Sequence, residues 1–100
     1  IYGLRVLPRG IRHLTTLQSL HLEGSMVLEA IPDWIGELCS LSRLEMIGIP
    51  LLSTLPQEMI RLTELKALVV EGCPELGRRC QRETGEDWHK IQHIEQVIIR

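Results

Sequence analysis

A chain of 100 residues with a formal net charge of −2 is sized for one domain and is too evenly charged to present a nucleic-acid footprint. No stretch approaches the roughly 18 consecutive apolar residues that a membrane span needs. Its three cysteines (Cys39, Cys73 and Cys80) are an odd number, which fits reduced thiols of the cytosol better than a disulfide framework.

The chain opens at Ile1 with no polar cap. Tyr2 and Leu4 stand 24 residues before Met26 and Leu28, so residues 1–6 read as the tail of an earlier repeat, and a piece of a longer array is expected. The pattern Leu-Pro-x-x-Ile-x-x-Leu-x-x-Leu-x-x-Leu-x-Leu-x-Gly then recurs at a constant spacing of 24. Leu7-Pro8, Ile31-Pro32 and Leu55-Pro56 open the copies, and Gly24, Gly48 and Gly72 close them. In the first copy positions 7, 11, 14, 17, 20, 22 and 28 should face inward. All 21 such positions over three copies are apolar, in a chain only 44% hydrophobic overall, so the periodicity outweighs any propensity argument. Leucines at i, i+3 and i+5 of a short strand are the signature of stacked leucine-rich repeats.

The expected fold is an α/β solenoid, a right-handed leucine-rich-repeat arc. Parallel strands near 18–23, 42–47, 66–71 and 95–100 line its concave face. Short helical or 3-10 turns follow each Leu-Pro on the convex face, with proline at the first helical position. Repeats are placed at 7–30, 31–54 and 55–76, and a C-terminal helical cap repeat at 77–100. In that last copy Trp88, Ile91, Ile94, Val97 and Ile99 keep the framework spacing, but at an offset of 29 from the third copy. Five residues have been inserted between Leu76 and Trp88, and Gly85 replaces the proline. The longest helix is expected at residues 87–93, with Trp88 buried against the third repeat.

The sequence has no asparagine, hence neither an N-glycosylation sequon nor the asparagine ladder common to this repeat class; the ladder position holds Ser25, Ile49 and Cys73. It has no phenylalanine either, so Ile11, Ile35 and Met59 must fill the convex side. No nucleophile elbow, phosphate loop or His-Glu-x-x-His is present, and no enzymatic role is expected. Cys73, Cys80, His89 and His93 are the best metal candidates. Their Cys-x₆-Cys spacing is unusual for zinc, and no metal site is assigned. Arg78, Arg79 and Arg82 with Glu75, Glu83, Glu86 and Asp87 read as a mixed, salt-bridged surface.

Residues between the strand leucines form the candidate binding face: Ser19, His21, Glu23, Arg43, Glu45, Ile47, Ala67, Val69, Glu71, Ile98 and Arg100, with Gln96 in the same row. Solenoids bind partners on this surface. Ile47, Val69 and Ile98 are apolar where water is expected. They suit strands as β-branched residues, and they are also candidate partner anchors.

The run from Glu71 to Ile99 (Cys-Pro-x-Leu, Arg-Cys, Gly-x-Asp-Trp, Lys-Ile and His-Ile) resembles the C-terminal end of plant intracellular immune receptors of the coiled-coil, nucleotide-binding, leucine-rich-repeat type. The resemblance implies a cytoplasmic recognition and autoregulatory domain. Its partners would be a pathogen effector or host protein, and the receptor's own nucleotide-binding domain. No cofactor is implied for this segment, since ADP or ATP would bind a separate domain. An extracellular repeat ectodomain and a stand-alone intracellular scaffold are the alternatives.

Overall fold

A computed structural model describes residues 1–100. Four parallel strands, β1 (Ser19–Glu23), β2 (Arg43–Ile47), β3 (Ala67–Glu71) and β4 (Gln96–Ile99), form one sheet in chain order. The register follows the repeat. Leu20 pairs with Leu44, Leu44 with Leu68, and Leu68 with Val97, so the offset of 29 is where the fourth strand lies.

Between strands the chain returns through 3-10 helices at Arg9–His13, Asp33–Glu37 and Gln57–Arg61. Each follows its proline directly, but Pro8, Pro32 and Pro56 are extended cap residues (φ between −60° and −70°, ψ 130° to 155°) and not the first helical residue. Their carbonyls accept the first 3-10 bond from Ile11, Ile35 and Met59, 3.1 Å each. Proline's fixed φ suits this entry as well as a helical one.

Alternation along each strand turns the leucine positions inward. In the second and third copies all seven framework residues are buried. The first copy departs from expectation: Leu14 is 49% exposed and Leu17 only partly covered, because little packs on the outer side of the first coil. The equivalent Leu38 and Leu62 are 0% and 1% exposed.

The turns after the strands explain the closing glycines. Gly24, Gly48 and Gly72 take φ between 63° and 65°, a left-handed conformation strained for other residues. Their N–H groups donate to Ile47, Glu71 and Arg100 carbonyls of the next strand, at 2.9, 2.8 and 3.3 Å. Gly3 (φ 68°) does the same to Glu23, and Tyr2 bridges Glu23 in parallel. The alignment of Tyr2 and Leu4 with Met26 and Leu28 is therefore corrected. Gly3 is the counterpart of Gly24, and the turn from Gly3 to Leu7 is three residues shorter than that from Gly24 to Ile31. At the ladder position Ser25 Oγ accepts from Leu4 N–H (3.1 Å), and Cys73 Sγ donates to the Met46 carbonyl (3.6 Å).

The C-terminal region differs from its expected form. The longer helix is α1 (Pro74–Arg79), started by Pro74 in its first turn and burying Leu76 and Gly77; α2 (Trp88–Ile91) has one turn. The charged insertion, read as part of the C-terminal cap, begins inside this helix: Arg78 and Arg79 form its last turn, where the dipole favours cations. No helix is long and apolar enough to cross a membrane.

Candidate functional site: the outer sheet face and the cap

Outward residues of neighbouring strands lie side by side: Ser19, Arg43, Ala67 and Gln96 in one row, His21, Glu45, Val69 and Ile98 in the next, and Glu23, Ile47 and Glu71 in a third. Arg100 follows β4 and is exposed. The face divides in two. Over β1 and β2 it is charged: His21 Nε2 meets Glu23 at 2.8 Å, His21 Nδ1 lies 3.4 Å from Glu45, and Arg43 Nε lies 3.3 Å from the same carboxylate. Hydrogen bonds first with Glu23 and then with Glu45 raise the His21 pKa, and the Arg43 guanidinium lowers that of Glu45.

Towards β3 and β4 the face turns apolar, through Ile47 at the end of β2, Ala67, Val69 and Ile98, with Glu71 and Gln96 as its polar members. Ile47 and Ile98 are half-buried, but Val69 is only 5% exposed and Ala67 6%. Val69 was expected to stand free as an anchor. It lies instead between Glu45 and Ile98, whose longer side chains cover it from both neighbouring strands, as directly opposed cross-strand residues do. The accessible apolar residues of the face are thus Ile47 and Ile98, with Val69 as the floor between them.

The cap holds a feature that sequence reading placed on the surface. Asp87 is wholly buried. Its Oδ2 accepts from Thr54 Oγ1 (2.9 Å), Leu55 N–H (3.2 Å) and Arg79 Nε (3.3 Å), and its Oδ1 from Arg79 (3.1 Å) and Lys90 Nζ (2.8 Å). Lys90 also donates to the Leu55 carbonyl at 2.7 Å. Burial, the largest single influence, disfavours the charged carboxylate. The donors from Arg79, Lys90, Thr54 and Leu55 outweigh it together and hold the group at about 2. The cluster ties α1 and α2 to the start of the third repeat. Gly85 makes the chain's approach possible, since a Cβ there would lie 2.1 Å from the Arg79 carbonyl oxygen.

Trp88 was expected to be buried. It is half-buried, packed on the core with its outer side under the Arg82 guanidinium, 5.6 Å from the ring centre. Its counterpart Met59 is fully covered, in the 3-10 helix against which α2 packs. Of the four metal candidates, Cys73 and Cys80 are buried thiols, Cys80 pushed up to about 12 chiefly by burial. His89 bonds Gln57 (3.2 Å) and His93 the Leu62 carbonyl (3.2 Å), stitching α2 onto the third 3-10 helix. Arg78 pairs with Glu75 and Glu86 at the surface, as expected of that cluster.

No family model matches the chain. Three curated proteins of Solanum bulbocastanum share a short stretch with it. Identity is 59% over 27 residues with the disease resistance protein RGA4, 58% over 26 with RGA2, and 52% over 27 with RGA1. Over that quarter of its length the chain is similar to plant disease-resistance proteins. Each stretch covers 3% of the relative, so the chain matches only a small part of those proteins.

Proposed function

We propose that this chain is a leucine-rich-repeat solenoid segment of a plant immune receptor of the coiled-coil, nucleotide-binding type, acting in defence against pathogens. The observation that carries the reading is the combination of the 24-residue leucine framework, stacked strand on strand in matching register, with the short, highly identical stretches in three disease-resistance proteins. The repeat array serves as a recognition scaffold, because its outward residues can vary while the inward leucines keep the stack together. Its work is binding, without catalysis, in the cytoplasm. Its partners are a pathogen effector or a host protein and, within the receptor, the nucleotide-binding domain, which carries any ADP or ATP.

The working surface is the row of outward strand residues. Ile47 and Ile98 anchor the partner over the Val69 floor, with His21, Glu23, Arg43, Glu45, Glu71 and Arg100 as a polar rim. Interfaces concentrate their energy in a few central, desolvated side chains. The test is expression of the full-length protein in leaves with Arg43→Glu, Glu71→Arg or Ile98→Asp. Loss of the triggered cell-death response at unchanged protein level is expected. Constitutive response from the same changes assigns the face to the inhibitory contact with the nucleotide-binding domain. Wild-type behaviour of all three overturns the surface assignment.

A further inference from the structure

The convex side carries a groove that two departures from the repeat create. In the second coil Gly36 lets the 3-10 helix Asp33–Glu37 seat against the third, since a Cβ there would lie 2.9 Å from the Glu58 carbonyl oxygen. The counterpart of Gly36 in the first coil, 24 residues earlier, is Arg12. Its bulk keeps the helix Arg9–His13 from seating in the same way, and the first two helices stand off from each other where the second and third pack closely. The Arg12 guanidinium spans the gap to Glu37 at 2.9 Å. The counterpart of Trp34 is Gly10, where a Cβ would meet nothing within 4 Å. No side chain from the first coil therefore covers the Trp34 ring at that position, and Trp34 is only half-buried.

The resulting groove has a volume of about 540 Å³. Its walls carry opposite charge, Arg9 and Arg12 on the first helix and Asp33 and Glu37 on the second, with Trp34 and Val6 as its apolar lining. Arg12 and Glu37 neutralise each other. Asp33 is exposed and forms no ion pair with Arg9 or any other cation; its third-coil counterpart, Gln57, is held by His89 at 3.2 Å. No cation lies over the Trp34 ring, in contrast to Trp88. The groove lies between two consecutive coils, so a coil stacked before Arg9–His13 would meet that helix on its opposite side.

We propose that this groove binds a dipolar segment of a partner protein, whose arginine or lysine lays its stem on Trp34 and its cation against Asp33 while a neighbouring carboxylate meets Arg9. A cation set over an indole and beside a carboxylate is attracted by the ring quadrupole and by the charge together. The opposed walls also select against segments of a single sign, because one wall then repels them. The site is on the convex side and does not depend on the outer-face reading above.

The test titrates a capped tripeptide, arginine–leucine–glutamate, into the isotope-labelled chain and follows it by NMR. The Trp34 indole N–H and the Asp33 amide should shift, with the Trp88 indole unmoved. Capped tripeptides carrying two arginines or two glutamates around the leucine should bind about fivefold more weakly, and Asp33→Asn should weaken the dipolar peptide by about the same factor. Gly10→Leu fills the open seat beside Trp34 from an exposed position. It should abolish the shifts while the rest of the spectrum and the melting transition stay in place. Absence of binding, binding unchanged by both Gly10→Leu and Asp33→Asn, equal binding of the single-sign peptides, or shifts centred on Trp88 or on the outer sheet face overturns the proposal.

Discussion

The second and third repeats and the C-terminal cap solve the same packing problem by different means. In the repeats every inward position is aliphatic or methionine, and each coil is covered by the next one. In the cap the corresponding layer contains a fully buried carboxylate with five side-chain and backbone contacts drawn from Thr54, Leu55, Arg79 and Lys90. Apolar stacking is non-directional and tolerates exchange among similar side chains. A buried ion cluster is directional: it fixes one orientation of the cap, and its removal leaves unpaired charges. The repeats are therefore a variable scaffold, and the cap is a fixed fastening.

The largest expected effect lies within the apolar side of this contrast. Leu38→Ala, at a fully buried position, should cost about 2–5 kcal/mol by thermal or denaturant unfolding. Leu14→Ala, the same position in the less covered first coil, should cost well under half as much. Equal losses would show that the first coil is covered in solution.

Acid should separate the two regions next. The Asp87 carboxyl lies at about 2 in the folded chain against an ordinary 3.8. A depressed carboxylate contributes stability above its unfolded pKa, and that contribution is lost as pH falls from about 4 towards 2. By linkage it amounts to about 2 kcal/mol. Trp88 fluorescence should report the change in that window. Asp87→Asn should remove this pH dependence, and an unchanged acid limb in that variant would place the sensitivity elsewhere.

The smallest effect belongs to the outer face. The His21 pKa is raised by Glu23 and Glu45, so it should titrate above its ordinary value in a proton-NMR titration. Glu45→Gln should bring it back part of the way. Because the imidazole is exposed, the melting temperature should hardly respond.

These contrasts follow how much was legible in the sequence. The leucine periodicity gave the strands, their register and the offset of the fourth, because an inward position repeated at fixed spacing leaves a strong compositional signal. Asp87 left no such signal. Within Gly-Glu-Asp-Trp it looks like any solvated acid, and its burial depends on Arg79, Lys90 and Thr54, which are separated along the chain and meet only in the fold. Gly3 was obscured by a shortened turn that breaks the constant offset. Val69 stood at a correctly read outward position, but alternation gives a side chain's direction and not the bulk of its cross-strand neighbours. Leu14 and Leu17 kept the framework pattern, yet burial depends on what lies over a coil as well as on which way its residues point.

The contrast between scaffold and fastening is tested most directly by residue-resolved hydrogen exchange in the wild-type chain and in Asp87→Asn at neutral pH. The expected result is loss of protection at the amides of Gly85, Asp87, Trp88 and Lys90, which are hydrogen-bonded within the cap, with protection of β1, β2 and β3 retained. Uniform loss across all strands, or no change in the cap, would contradict it.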